Sequence, residues 1–142
     1  MPVPLERRVR RQQNRRIKVP AYNFKERFAP AVERGDKRQT IRPSRKRGKP
    51  GDKAHLYTGQ RTKTCRKIGE GILTDVLPVE IGRHECGEPY AIVATDHICH
   101  TQLDIFARAD GFKTGEEMTA WFEAQYGLPF AGYLHKWLPS NV

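Results

Sequence analysis

Gly35-Asp36-Lys37-Arg38-Gln39-Thr40-Ile41-Arg42 is the most informative stretch of the chain. Gly35 stands where a helical pattern ends, and glycine adopts the positive φ of a helix C-terminus without a steric penalty. The residues after it alternate as in a strand, with Lys37, Gln39 and Ile41 on one face and Arg38, Thr40 and Arg42 on the other. Lys, Thr and Arg side chains are therefore predicted close to a helix end, which suits a phosphate, a nucleobase or a carbonyl oxygen.

Periodicity and turn residues predict the elements around this stretch. A first helix is predicted over residues 22–34, with Asn23 as N-cap, one apolar face and a kink at Pro30. Strands are predicted over 37–42, 53–57, 65–76, 79–81, 89–99 and 130–138, the third of them bent at Gly69 or Gly71. Thr114-x-x-Glu117 is a capping box that opens a helix over residues 115–126. This order suits a small, partly open barrel.

The central stretch also resembles the opening motif of the ASCH domains. The matching residues are Gly35-x-Lys37-x-x-Thr40-x-Arg42, preceded by Phe24-Lys25-x-Arg27-Phe28. The similarity covers about residues 22–138 and continues through Gly51-Asp52, Leu56-Tyr57-Thr58-Gly59, Ile68-Gly69-Glu70, Asp110-Gly111-Phe112, Glu117-Met118 and Trp121-Phe122. ASCH domains are small barrels related to the PUA RNA-binding fold. The resemblance thus implies an α+β fold, a small PUA-like β-barrel with flanking helices.

Length and charge indicate one domain that binds a polyanion. A chain of 142 residues with 37% hydrophobic residues can bury a single core. The net charge is +6 over residues 1–18, +10 over 19–71 and −6 over 72–142. A basic front half and an acidic back half favour nucleic acid as the partner. No apolar run approaches the ~20 residues that span a bilayer, and the basic N-terminal tail has little apolar content to insert, so a membrane partner is not expected.

The expected organisation is a flexible basic N-terminal arm, residues 1–19, followed by an ASCH-like domain over residues 20–142. The arm is rich in Arg and has almost nothing to bury, so it is either a phosphate-neutralising extension or a solvated tail. Three cysteines without framework spacing and the absence of a signal-peptide pattern predict a cytoplasmic protein. The small size and the lack of heptads predict a monomer.

The resemblance implies a catalytic set. ASCH proteins similar to bacterial acetylcytidine amidohydrolases use the lysine and threonine of this motif and a downstream glutamate, so Lys37 and Thr40 are the matching candidates. Asp110, one methylene shorter, is the best placed acid, with Glu70 and Glu117 as the alternatives. A desolvated lysine loses its proton near neutral pH and activates a hydroxyl or a water. The alternative is that Lys37 and Arg42 bind phosphate while Thr40 packs in a strand.

Two basic loops flank the same motif and predict a nucleic-acid interface. Phosphates would contact lysine and arginine side chains, and a base would stack on an aromatic ring. The predicted binding residues are Arg42, Arg45, Lys46, Arg47, Lys49, Tyr57, Arg61, Lys63 and Arg66.

A metal site is a further hypothesis, although neither a metal nor another cofactor is expected. His84-x-Cys86 and His97-x-Cys99-His100 place pairs of ligands at i, i+2 on strands, and two such pairs suffice for zinc. Buried cysteines and surface histidines explain the same residues without a metal. Met118, Trp121 and Phe122 are expected in the core, and Trp137 either there or as a base-stacking ring.

These features predict a protein that binds RNA or a modified nucleoside in a basic cleft. Recognition in this cleft is the leading function, and hydrolysis of the bound group would follow it, as deacylation of an acylated cytidine or as cleavage of single-stranded RNA. The alternative is a non-catalytic RNA-binding regulatory module.

Overall fold

The computed structural model describes residues 20–44 and 48–140. These residues form a mixed α+β domain with a seven-stranded sheet and three helices, which confirms the expected α+β class. The predicted arm, residues 1–19, lies outside the described residues. The helices are α1 (Ala29–Arg34), α2 (His100–Ala109) and α3 (Gly115–Tyr126). The strands are β1 (Ala21–Phe24), β2 (Gln39–Arg42), β3 (Lys53–Thr58), β4 (Arg66–Arg83), β5 (Pro89–Val93), β6 (Asp96–Cys99) and β7 (Phe130–Pro139).

The long strand β4 organises the sheet. On one side it pairs antiparallel first with β3 and then with β5, and on the other side it pairs with β7 over residues 71–81. Its register shifts opposite Leu56/Tyr57, beside Gly69, and again between Leu73 and Asp75. Such irregularities bend a strand, so the bend predicted at Gly69 or Gly71 is confirmed. The separately predicted segment 79–81 is part of the same strand.

The sheet is not a closed barrel. The edge strand β1 runs parallel to β3, and the edge strand β2 runs antiparallel to β7. Within the described residues no backbone ladder joins β1 to β2. Instead, the Arg42 guanidinium of β2 donates a hydrogen bond of 2.7 Å to the backbone carbonyl of Asn23 in β1. A seam bridged by a side chain therefore remains between these two strands.

The predicted helix over residues 22–34 is wrong in its first half. Tyr22 and Phe24 are buried at period two in β1, and Asn23 is not an N-cap. The segment gains parallel backbone pairing with β3, a long-range interaction that helical spacing of aromatic residues does not reveal. Pro30 lies in the first turn of α1, where no backbone N–H is needed, and so does not kink it.

The C-terminal elements follow the sequence more closely. The Thr114 hydroxyl accepts a hydrogen bond of 3.1 Å from the backbone N–H of Glu117, so α3 begins as predicted. The Glu117 carboxylate, however, accepts from the backbone N–H of Lys113 at 2.7 Å, so the capping box is only half formed. The predicted closing strand is β7, and Trp137 lies in the core at 2% exposure.

The hydrophobic core lies between the bent sheet and the two C-terminal helices. Its largest fully buried side chains include Tyr22, Leu56, Ile81, Leu103 and Phe122. Among the described residues no helix combines the length and the apolar character needed to cross a membrane. α3 packs against β4, β5 and β7, and its other face lies over the open seam.

Candidate functional site

A cavity of about 190 Å³ opens between β1, β2 and α3. A cavity of roughly 150 Å³ already accepts benzene, so this one has room for a single ring system. The three residues predicted to be catalytic, and Arg42, all line it. The full lining comprises Asn23, Phe24, Lys25, Phe28, Lys37, Thr40, Ile41, Arg42, Asp110, Phe112, Trp121, Phe122 and Tyr126.

The end of α1 directs Lys37 into this cavity. Gly35 has φ 79° as predicted, and the backbone N–H groups of Asp36 and Lys37 both donate to the carbonyl of Ala31. β2 begins only at Gln39, so strand alternation does not extend to Lys37. Lys37 and Thr40 both line the cavity, although the sequence pattern places them on opposite faces of one strand.

Asp110 reaches the same point from the C-terminal end of α2. It is followed by Gly111, whose φ of 97° is a conformation that L-residues rarely adopt. A Cβ at position 111 would lie 2.8 Å from Phe28 Cδ1 and 3.4 Å from Lys37 Cδ. Glycine is therefore required here, since it lets the loop approach the lysine closely.

Lys37 and Asp110 form a buried ion pair. Lys37 Nζ lies 3.3 Å from Asp110 Oδ1, with both side chains at most 5% exposed. The amine donates its well-aligned hydrogen bond, 2.5 Å long, to the Asp110 backbone carbonyl. Consequently Asp110 Oδ1, like Gln39 Nε2, has no well-aligned hydrogen bond among the described residues. Buried polar atoms without a hydrogen bond are uncommon, and functional positions are among the places where they occur.

Burial shifts both groups toward their neutral forms. It lowers the pKa of the Lys37 amine, an effect opposed by the charge and hydrogen bonding of Asp110 and reinforced by Arg42. It raises the pKa of the Asp110 carboxyl, an effect opposed mainly by Lys37 and less by Gln39. The phenyl rings of Phe24 and Phe28, centred 5.8 and 5.1 Å from Lys37 Nζ, help to exclude water. The two pKa values converge, so moving a proton within the pair costs less than between the same groups in water.

Thr40 and Arg42 share one face of β2, as predicted. The Arg42 Nε donates a hydrogen bond of 3.0 Å to Thr40 Oγ1, which leaves the threonine hydroxyl hydrogen to point elsewhere. The same guanidinium reaches the Asn23 carbonyl and stacks over the Phe24 ring at 5.2 Å. Arg42 is therefore held in a defined orientation at the cavity wall.

The aromatic wall of the cavity was not predicted as a site. Phe28, Phe112 and Trp121 pack edge-on or tilted against one another, with centroids 5.4 to 6.3 Å apart. Trp121 is only partly buried, so its assignment to the core is wrong in part, whereas Met118 and Phe122 are in the core. Lys25 Nζ lies 5.1 Å above the Trp121 ring. The sequence signal for this aromatic wall is the cluster Phe24-Lys25-x-Arg27-Phe28, which is part of the family resemblance.

The alternative acids do not line the cavity. Glu70 lies on β4 and pairs with Lys67 and Lys53, whose hydrogen bonds lower its pKa. Glu117 accepts from Lys113 and pairs with Arg27. Of the three candidate carboxylates, the structure therefore brings Asp110 alone to Lys37 and Thr40.

The residues predicted to bind nucleic acid have different surroundings. Arg42 lines the cavity, whereas Tyr57 does not line it and stacks on His55 with centroids 6.5 Å apart. Arg45, Lys46 and Arg47 lie outside the described residues. Arg66 is paired with Glu33. The remaining three, Lys49, Arg61 and Lys63, are exposed.

The histidine–cysteine pairs do not assemble into the hypothetical zinc site. The rings of His84 and His97 lie 5.3 Å apart, and both pack against Tyr90. Cys86 is exposed and Cys99 partly buried. In the part of the chain that the structure describes, no three His, Cys, Asp or Glu side chains are grouped to hold a metal ion.

No protein-family model, curated protein or solved structure matches this chain.

Proposed function

We propose that this protein binds a nucleobase of RNA or of a modified nucleoside in the cavity and removes an acyl group from it, as an ASCH-like amidohydrolase acting on an acylated cytidine. One observation carries the proposal: Lys37 and Asp110, both buried, lie 3.3 Å apart in the wall of a ring-sized cavity. Ionisable groups with opposing pKa shifts occur preferentially at functional sites.

The lining of the cavity suits a flat heterocycle. Aromatic side chains supply faces on which any base can stack, and a few fixed polar groups supply hydrogen bonds to its edge. Arg42 and Thr40 are oriented by their mutual bond, and Asn23 lies beside them. The basic half of the chain, with its net charge of +10 over residues 19–71, contains the same motif and attracts a polyanion.

The chemistry is amide hydrolysis. The neutral Lys37 amine takes a proton from a water molecule, directly or through the Thr40 hydroxyl, as the water oxygen bonds to the acyl carbon. The carbonyl π electrons move onto oxygen, where the fixed positive charge of Arg42 stabilises them. Collapse of this intermediate breaks the carbon–nitrogen bond. The proton taken up by Lys37 passes, directly or relayed by the Asp110 carboxyl, to the leaving amino nitrogen, and the products are cytidine and a carboxylic acid.

A PUA-like fold is part of the same proposal. The sheet is bent at two irregularities of β4 and curls until β1 and β2 are bridged by Arg42. The two longer helices are inserted between β6 and β7. This arrangement is compatible with a small barrel open along one seam, with the ligand bound at the seam.

A turnover assay tests the proposal. The protein is incubated with acylated cytidines and with single-stranded RNA, beside Lys37→Ala and Thr40→Ala and beside Lys136→Ala, which removes an exposed lysine of β7. We expect cytidine from the unaltered protein and from Lys136→Ala only, with ligand affinity largely retained in the two cavity variants.

The other outcomes point elsewhere. RNA fragments that disappear in Lys37→Ala identify a ribonuclease instead of an amidohydrolase. The absence of product from both substrates, with salt-sensitive RNA binding retained, contradicts catalysis and leaves a binding module. In that case Lys37→Ala weakens binding modestly and reduces the salt slope by about one.

A further inference from the structure

Asn23 belongs to two recesses at once. It lines the cavity described above and also a wider groove of about 630 Å³, which we call the Arg61 groove and which is lined by Ala21, Asn23, Gln60, Arg61 and Cys65. The Asn23 Oδ1 accepts a hydrogen bond of 2.8 Å from the backbone N–H of Gln60, which fixes the amide between the two. The cavity and the groove are therefore neighbours across one residue.

The loop that carries Arg61 is held in one conformation by its own hydrogen bonds. The Thr62 hydroxyl donates to the Gly59 carbonyl at 2.6 Å and accepts from the backbone N–H of Thr64, and the Cys65 N–H donates to the Thr62 carbonyl. Arg61 has φ 65°, an uncommon conformation for a residue with a side chain. A loop ordered in this way presents the Arg61 guanidinium from a defined backbone.

The positively charged side chains of this loop fall into two groups, those paired with a carboxylate and those without one in the described part of the chain. Arg66 is paired with Glu33, and Lys67 with Glu70. Arg61 and Lys63 are exposed and have no carboxylate partner within residues 20–44 and 48–140. Since guanidinium groups match phosphate oxygens geometrically, Arg61 is the cation of the loop best placed for an anion in the groove.

We infer that the Arg61 groove is a phosphate subsite for the nucleotide flanking the base in the cavity. The inference rests on the proposed function and specifies its substrate: a base within a single strand, with a phosphodiester on Arg61. Asn23 lies between the base and the backbone of that strand. A free nucleoside fills only the cavity and makes none of the groove contacts.

The test compares N4-acetylcytidine with a trinucleotide that carries it in the middle position. Dissociation constants are measured by tryptophan fluorescence at several salt concentrations, using the full chain. We expect the trinucleotide to bind at least about tenfold more tightly at low salt, because charge-assisted bonds to phosphate are strong. In Arg61→Gln we expect most of this advantage to be lost and the salt slope to fall by about 0.7, the value for one phosphate contact on a single strand. Arg34→Gln, an exposed arginine paired with Asp36, removes the same charge and keeps the advantage.

Every other result of this experiment either supports or overturns the phosphate subsite. Equal binding of the nucleoside and the trinucleotide by the unaltered protein overturns the subsite and leaves the proposed function standing. If Arg61→Gln and Arg34→Gln lose the affinity advantage of the trinucleotide equally, the subsite is overturned as well, because the advantage then depends on net charge alone. Arg61-dependent trinucleotide binding without nucleoside binding supports the subsite while contradicting the proposed occupant of the cavity. No binding of either ligand contradicts both.

Discussion

Removing the charge of Lys37 or of Asp110 alone should destabilise the protein more than removing both charges together. With 3.3 Å between Nζ and Oδ1, Coulomb's law at an effective dielectric constant of 20 gives an attraction of about 5 kcal/mol. Desolvation of the two buried ions offsets most of it. Removing one partner leaves the other buried without a counter-charge, which typically costs about 3–5 kcal/mol. Proton loss or gain by the remaining group limits this penalty, so we expect about 3 kcal/mol for Lys37→Met or Asp110→Asn.

The double variant Lys37→Met/Asp110→Asn should lie within about 1 kcal/mol of the unaltered protein, since neutral replacements of a buried pair are often tolerated. Urea denaturation at pH 7 measures the free energies of unfolding, and each single variant should also unfold about 6–12 °C lower.

The penalty of Lys37→Met also depends on pH. Burial raises the pKa of the folded Asp110 carboxyl, and losing Lys37 removes the largest opposing effect. A raised folded pKa gives stability that is lost as the pH rises through it, so Lys37→Met should regain stability on acidification. Additive single effects in the double variant, or single effects below about 1 kcal/mol, would refute the reasoning.

Three further perturbations test other parts of the site. Gly111→Ala should cost about 2 kcal/mol or more in thermal unfolding and lower turnover, because its φ is positive and its Cβ meets an aromatic ring. Gly51→Ala is the control, because Gly51 has a similar φ but open space around its Cβ position. If Gly51→Ala costs as much as Gly111→Ala, the close approach of Gly111 to Phe28 does not explain the loss. Tyr126→Ala, at a half-exposed ring of the cavity that also packs on Phe122 and Phe130, should weaken base binding about tenfold and cost about 1 kcal/mol of stability; unchanged affinity would exclude the base from that end. Because the Asp110 charge raises the pKa of Lys37, nuclear magnetic resonance titration of the Lys37 amine should give a lower pKa in Asp110→Asn, and a higher one would contradict the pairing.

The local part of the site could be predicted from the sequence. Gly35 ends α1 because the left-handed region favours glycine, and Thr40 and Arg42 share a face because β2 alternates. The position of Asp110 was chosen by family resemblance, and the structure brings it to Lys37 although 73 residues separate them. Local patterns and a short motif therefore identified the polar centre of the cavity.

The remaining features depend on contacts that no local pattern encodes. The spacing of Phe24 and Phe28 predicts a helix where β1 lies, whereas parallel pairing with β3 decides the conformation of this segment. The helical spacing of Met118 and Trp121 predicts that Trp121 lies in the core, whereas its partial exposure arises from the open seam beneath α3. Lys37 precedes β2, whose first residue is set by the pairing with β7, so strand alternation alone does not place Lys37 relative to Thr40.

The central claim is that Lys37 acts on a ligand bound in the cavity. Single-turnover hydrolysis of N4-acetylcytidine, with protein in excess over substrate, tests it most directly in the unaltered protein and in Lys37→Met. The double variant with Asp110→Asn replaces Lys37→Met if that variant does not fold. We predict that both proteins bind the nucleoside with similar affinity, and that cytidine is released only by the unaltered one. Release at the same rate from Lys37→Met, or tight binding with no release from either protein, would contradict the account.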